Sequence, residues 1–283
     1  MKSIAIVAAK GLGDALLMQI FSAHLHAMGK QVTLFSDPLN ELASWFPKYR
    51  FAQRNEIVKN IDSFDAIILQ HDNSPLALAL CALRAPLYIL YGAHSAAKHP
   101  LFIPTRDYLC DRSLNMGENI RLACNQLFGG HDLACNIDLC PPATLIHRRN
   151  RKQVVLHVGS SNAQKNWPWR RFEKLRMYLS KMGYSATVLP LFPSIADLAA
   201  NLYESAFFIG NDSGPGHLAS ALGIPTVTIG PSLEQLTLWR PCWAPGAIAY
   251  PKIPIPKLIG NKRMHFITEK QVLAKFLEIN NQF

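Results

Sequence analysis

The chain predicts an α/β protein made of two parallel, doubly wound sheets. Short apolar runs rich in β-branched residues alternate with longer amphipathic stretches, which is the pattern of strands buried on both faces by crossover helices. That alternation starts at the N terminus, stops at a proline-containing basic stretch near the middle, and then starts again. The length of 283 residues suits two domains of ordinary size better than one small one.

In the first half, residues 4–9 read as a strand, 14–28 as an amphipathic helix and 31–35 as a second strand after Gly29. Residues 65–70 form a third strand, 76–83 a helix and 87–91 a fourth strand. Residues 140–152 combine Pro141 and Pro142 with Arg148, Arg149, Arg151 and Lys152, and make the best linker candidate. The expected division is 1–145 and 146–283. In the second half, 154–158 read as a strand, 169–182 as a helix, 186–189 as a strand and 195–205 as a helix. Strands at 207–209 and 224–229 complete the second sheet. A last amphipathic helix over 268–280 places Val272, Phe276 and Leu277 on one side.

Composition narrows the function classes. The net charge is +10, and residues 1–150 carry 14 Lys/Arg against 12 Asp/Glu, so the second half holds most of the excess. A basic half points to anionic partners. Nucleic acid is not expected among them, because the basic residues are scattered and no helix-turn-helix, zinc-finger or RNP motif is present. The six cysteines show no C-x-x-C pair and no metal spacing, so free thiols are expected and a structural zinc is not. The start of the chain has no leader-like apolar region, and Arg84 and Pro86 interrupt the longest apolar stretch. A soluble cytoplasmic protein is the expectation.

The most informative segment is 207–227. It reads as a strand, the turn Asp212-Ser213-Gly214-Pro215-Gly216-His217, a short helix ending at Gly223 and a second strand. Ser213 or Gly214 can cap that helix, and Pro215 suits its first turn. The start of a helix offers backbone N–H groups and a positive dipole end to an anion. Gly214 and Gly216 would let the anion come close to the backbone, and His217 lies one turn past Ser213. An ordinary strand-to-helix turn needs Gly and Ser too, but Asp, Ser, two Gly and His within so few positions favour an anion site.

This segment resembles the heptosyltransferase family, bacterial glycosyltransferases that build the lipopolysaccharide inner core from ADP-heptose. The family carries an Asp-(Ser/Thr)-Gly-x-x-His turn, a small-residue helix and a Gly-x-Pro strand. Here these are Asp212-Ser213-Gly214 with His217, then residues 219–222 and Gly223-Ile224-Pro225. The resemblance implies a GT-B fold, two Rossmann-like domains facing a cleft, with the last helix returning to the first domain.

Two further segments match in order. Lys10-Gly11-Leu12-Gly13-Asp14 follows the first strand. It is a poor dinucleotide turn, since Leu16 replaces the third glycine and Asp37 is a weak ribose partner. The resemblance makes Gly11 and Gly13 the acceptor-side loop and Asp14 the general base; position alone is equally satisfied if Asp14 only stabilises a helix start. Ser160-Ser161 and Lys165-Asn166-Trp167-Pro168 match the family's donor loop. Ser160 and Ser161 offer hydroxyls to a diphosphate, and Lys165 a mobile charge for the leaving group. Trp167-Pro168 suits a helix start, and Arg170 and Arg171 suit a solvated helix face. His24, His26, His94 and His99 read as ordinary core or surface residues.

No Asp-x-Asp occurs, which fits a metal-independent inverting transfer with no cofactor. The expected donor is a nucleotide sugar, ADP-heptose by default. The expected acceptor is an anionic lipid-linked saccharide, with peripheral contact at the inner face of the cytoplasmic membrane. The chain departs from the family after its second-domain second strand, where Val188 to Ser194 lacks the ribose-binding Gly-rich turn and Glu. Two alternatives remain open: a degenerate member that binds without turnover, and a nucleotide-sugar 2-epimerase.

Overall fold

The computed structural model describes residues 1–82, 87–92, 102–129, 134–160, 166–253 and 257–282. The candidates Ser161 and Lys165, and also His94 and His99, lie outside the described residues. The chain divides into two compact units, Met1–Cys140 and Pro141–Phe283.

In the first unit β1 (Ser3–Val7), β2 (Gln31–Phe35), β3 (Arg50–Ala52), β4 (Ala66–Gln70), β5 (Leu87–Tyr91) and β6 (Tyr108–Leu109) form one parallel sheet in the order β3-β2-β1-β4-β5-β6. Its central strands are apolar because they are covered on both sides: every residue from Ile4 to Val7 and from Ala66 to Gln70 is buried. Helix α1 (Leu12–Ala27) begins at the glycine turn with no side-chain cap. It ends before Gly29, which takes a left-handed φ of 74°. The helix starts two residues before the expected boundary, so Asp14 sits inside its first turn. Helices α2 (Asp37–Glu41) and α4 (Pro75–Cys81) are capped by Ser36 and Ser74, each with a proline in the first turn. Helix α3 (Ile57–Asn60) is short, and α5 (Met116–Phe128) packs on α1. The short strands β3 and β6 and helix α5 were not expected from the sequence.

A buried arginine ties the loops of this sheet together. Arg54 is 2% exposed; its Nε donates to the Ala8 carbonyl at 2.7 Å and its guanidinium to Asp72 at 2.9 Å and Ser74 at 3.1 Å. Its backbone N–H donates to Asp37 at 2.8 Å, so Asp37 is a loop-holding residue in this fold.

In the second unit β7 (Asn150–His157), β8 (Ser185–Val188), β9 (Ser205–Asn211), β10 (Thr226–Ile229) and β11 (Gly246–Ala249) form a parallel sheet in the order β11-β10-β9-β7-β8. Helices α6 (Trp169–Lys181), α7 (Ile195–Glu204), α8 (Gly214–Ala221), α9 (Leu233–Trp239) and α10 (Glu269–Asn280) complete it. Helix α10 packs on α6, β10 and β11, burying Val272, Phe276 and Ile279.

Arg171, read as solvated, and Arg148 of the linker stretch are structural. Arg171 donates to Glu269 at 2.7 Å and to the His265 carbonyl at 2.9 Å, tying α6 to the start of α10. Arg148 lies 5.2 Å from the centre of the Phe207 ring, where burial pushes its pKa down. Residues 150–152 of the basic stretch begin β7. All six cysteines are free thiols, and burial pushes Cys110 and Cys124 up to about 12. Among the described residues no helix is long and apolar enough to cross a membrane.

Candidate functional site

Open parallel sheets bind ligands beyond the carboxyl ends of their strands, where the strand order reverses. In the first sheet that point lies between β1 and β4, and in the second between β7 and β9. Both points carry polar pairs.

At the first, Asp14 follows β1 and Gln70 closes β4. The Gln70 side chain donates from Nε2 to Asp14 Oδ1 at 3.0 Å and accepts the Ala9 N–H through Oε1 at 3.0 Å. Gly11 completes the arrangement, since a Cβ there would stand 2.5 Å from Asp14 Oδ2. The glycine is therefore set by the carboxylate folded over it, not by its own φ of −76°. Asp14 is half-buried in the first helical turn.

At the second, His157 ends β7 and Ser213 follows β9. His157 Nδ1 and Ser213 Oγ are 2.9 Å apart, and Ser213 Oγ–H donates to the Asn211 carbonyl at 2.9 Å. With the hydroxyl proton committed to that carbonyl, His157 Nδ1–H is the donor and Nε2 keeps its lone pair. Burial pushes the His157 pKa down, which favours this neutral ring. Gly210 makes room for it: a Cβ there would meet His157 Cβ and Phe208 Cε1 at 2.9 Å.

Ser213 occupies the N-cap position of α8, but its side chain makes no cap bond. Its Oγ is drawn aside to His157 and Asn211, which leaves the helix start without a side-chain oxygen of its own. Pro215 lies in the first turn and Gly223 ends the helix at φ 77°, as expected. Gly216 differs from expectation. It is buried, and the space a Cβ would take faces the Phe208 ring at 3.3 Å, so close helix–strand contact explains this glycine.

His217 also differs. It is 5% exposed, edge-on to Trp243 with centroids 6.2 Å apart, and hydrogen-bonded to the Trp239 backbone. Its Nδ1 is buried without a hydrogen-bond partner, and burial holds its pKa down against the opposing effect of Asp212. Asp212 accepts from Gln235 Nε2 at 3.1 Å. The turn thus places Asp212, Ser213, Gly214 and His217 together, with His217 turned into the protein interior.

Asn211, 1% exposed, fastens the loop after β7 to the same point. Its Nδ2 donates to the Val158 carbonyl and its Oδ1 accepts from Trp167 N, each at 2.8 Å. Ser160 Oγ–H donates to Asn166 Oδ1 at 2.7 Å. Trp167 is buried, its indole N–H donating to the Ile267 carbonyl at 2.8 Å, in agreement with a helix-start element. Both described ends of the Ser160–Asn166 segment are therefore held beside the Ser213 turn.

His157, Asn211, Gln70 and Arg54 were not singled out from the sequence. Three of them share a signal: each is the polar residue that closes an apolar strand next to a point where strand order reverses.

The match to known families falls on the second of these sites. The model for glycosyltransferase family 9 (heptosyltransferase) matches residues 186–242, which run from within β8 to just past α9 and include the Ser213 turn. The curated proteins contain no match to this chain. Among solved structures, a glycosyl transferase of family 9 from Veillonella parvula DSM 2008 superposes with a TM-score of 0.72 at 18% identity, over 100% of this chain and 98% of that one. E. coli ADP-heptose lps heptosyltransferase II gives 0.69 at 16% identity, over 100% and 99%. E. coli heptosyltransferase WaaC with ADP gives 0.67 at 15% identity, over 98% and 99%.

These likenesses show the fold: two parallel α/β units as in the GT-B heptosyltransferases. The family read from the Asp212–Gly214 and Gly223–Pro225 residues, glycosyltransferase family 9, is supported by a match over those same residues.

Proposed function

We propose that the protein is an inverting, metal-independent transferase moving a sugar, heptose from ADP-heptose by default, onto an anionic lipid-linked saccharide such as a lipopolysaccharide core. The single observation that carries this reading is the second sheet's reversal point. There the helix start of α8, bare of a capping side chain, lies inside the segment matched by the family model. Two of the structures sharing the fold, both of E. coli WaaC, were solved with ADP and with ADP-2-deoxy-2-fluoro heptose.

In this reading the donor diphosphate lies against the positive end of α8 at the Gly214 N–H, with Ser160, Ser161, Ser213 and Lys165 around it. Asp14 accepts the proton of the acceptor hydroxyl as its oxygen bonds to the anomeric carbon. The bond from that carbon to the diphosphate breaks with its electron pair on the phosphate oxygen. Lys165 and the helix start meet that new charge, which stabilises the transition state more than the bound substrate. Lys165 and the helix start together supply what a metal would otherwise supply to the leaving group. Attachment to the inner face of the cytoplasmic membrane, where such an acceptor is made, agrees with the chain's charge of +10.

The test is to incubate the protein with labelled ADP-heptose and other nucleotide sugars, with and without heptose-free lipopolysaccharide, in excess EDTA. Sugar appearing on the lipid with release of nucleoside diphosphate is the expected result. Exchange of the sugar's 2-epimer would assign an epimerase. Binding without turnover would assign a degenerate member, and rescue by magnesium alone would assign a metal-dependent transferase.

A further inference from the structure

We infer that Gln70 is a positioning residue for Asp14, an inference that rests on the reading of Asp14 as the base. The orientation of the Gln70 amide is fixed by chemistry. The Ala9 N–H can only donate, so the group 3.0 Å from it must be the amide oxygen, and the amide protons must then face Asp14 Oδ1 at 3.0 Å. The amide is 8% exposed, at the end of a strand otherwise made of Ala66-Ile67-Ile68-Leu69. A polar side chain in that place needs its partners, and it finds one on the glycine turn and one on the carboxylate.

Its position matters as much as its bonds. Gln70 ends β4 and Asp14 follows β1, so the contact crosses the point where the first sheet's order reverses. Asp14 is thereby held from two sides, by the amide on Oδ1 and by the bare Cα of Gly11 beneath Oδ2. A neutral amide donates to the carboxylate without protonating it, so Asp14 can still accept a proton, and the contact limits rotation of the carboxyl group.

Two substitutions separate this role from mere support of the turn. Gln70→Met keeps length and loses both bonds. Gln70→Glu keeps an acceptor for Ala9 N–H and replaces the donor to Asp14 with a second carboxylate. With ADP-heptose and heptose-free lipopolysaccharide, both should lower kcat roughly ten- to a hundredfold while donor KM stays within about twofold. Gln70→Glu turning over at the parent rate would overturn the inference, because only the Ala9 bond would then matter.

An NMR measurement needs no turnover. The Gln70 side-chain amide protons, assigned as those missing from Gln70→Met, should exchange slowly with solvent and lose that protection in Asp14→Ala. Unchanged exchange would show that the contact is not made. Equal turnover in Asp14→Asn and the parent is a different failure, that of Asp14 as base.

Discussion

Ser213 Oγ stands 2.9 Å from His157 Nδ1 although 56 residues separate them in the chain. The contact exists because β7 and β9 are neighbours in the sheet and end side by side. It turns the Ser213 hydroxyl away from the helix it precedes, while the Ser213 carbonyl accepts from the Gly216 and His217 N–H groups.

That relationship predicts how nucleotide binding responds to change. Ser213→Ala should weaken ADP binding several-fold, by about 0.5–1.5 kcal/mol, since the hydroxyl that ties the turn to His157 and Asn211 is lost. Lys165→Ala should weaken it more, by about 1.5–3 kcal/mol, because a charge-assisted contact goes. Calorimetric titration with ADP, UDP and GDP reads both; unchanged affinities in both variants would misplace the diphosphate.

Gly11→Ala probes the other sheet. Its φ of −76° is open to alanine, so the effect is steric alone. The new Cβ would stand 2.5 Å from Asp14 Oδ2, and the carboxylate must move. Turnover should fall by roughly ten- to a hundredfold, with ADP affinity and far-UV circular dichroism unchanged.

Asn211→Ala should cost stability as well as binding. It leaves the Val158 carbonyl and the Trp167 N–H without their partner, and Asn211 is buried. Two such losses amount to about 2–4 kcal/mol, read as a lower midpoint in urea with the same m-value. A neutral result would mean that the loop after β7 is held elsewhere.

The Arg171–Glu269 pair gives the fold a dependence on acid. The Glu269 carboxyl is held below its ordinary pKa by its own backbone N–H at the start of α10, and then by Arg171. A lowered folded-state pKa gives stability that is present above the unfolded carboxyl's pKa and lost as pH falls through the folded value. Arg171→Gln should therefore lower Tm at neutral pH by a few degrees, about 1 kcal/mol for a partly exposed pair, and the gap from the parent should close on acidification.

Much of the fold is legible in the sequence because its strands are short, apolar and separated by glycine, proline and serine. The runs at 31–35 and 87–91 coincide with β2 and β5. The segment from β9 through α8 to β10 is legible for the same reason, with Gly223 and Pro225 marking the helix end. Strand β3, with Arg50 and only three residues, and β6, with two, carry too little pattern to be read alone. Pairings across the sheet were not legible either. Gln70 and His157 each close an apolar strand, but nothing local says which strand ends matter; each acquires its meaning from a residue more than fifty positions away. Gly216 shows the converse. Its motif suggested room for an anion, while the ring that fills the space belongs to Phe208 on the preceding strand.

The most direct test of the account is the turnover of Asp14→Asn with saturating donor and acceptor. Asparagine keeps the size and the acceptor oxygen that Gln70 meets, and removes only the basicity. The account predicts a fall in kcat of roughly two to four orders of magnitude, with ADP affinity nearly unchanged. Turnover near that of the parent would contradict it and leave Asp14 a helix-start residue.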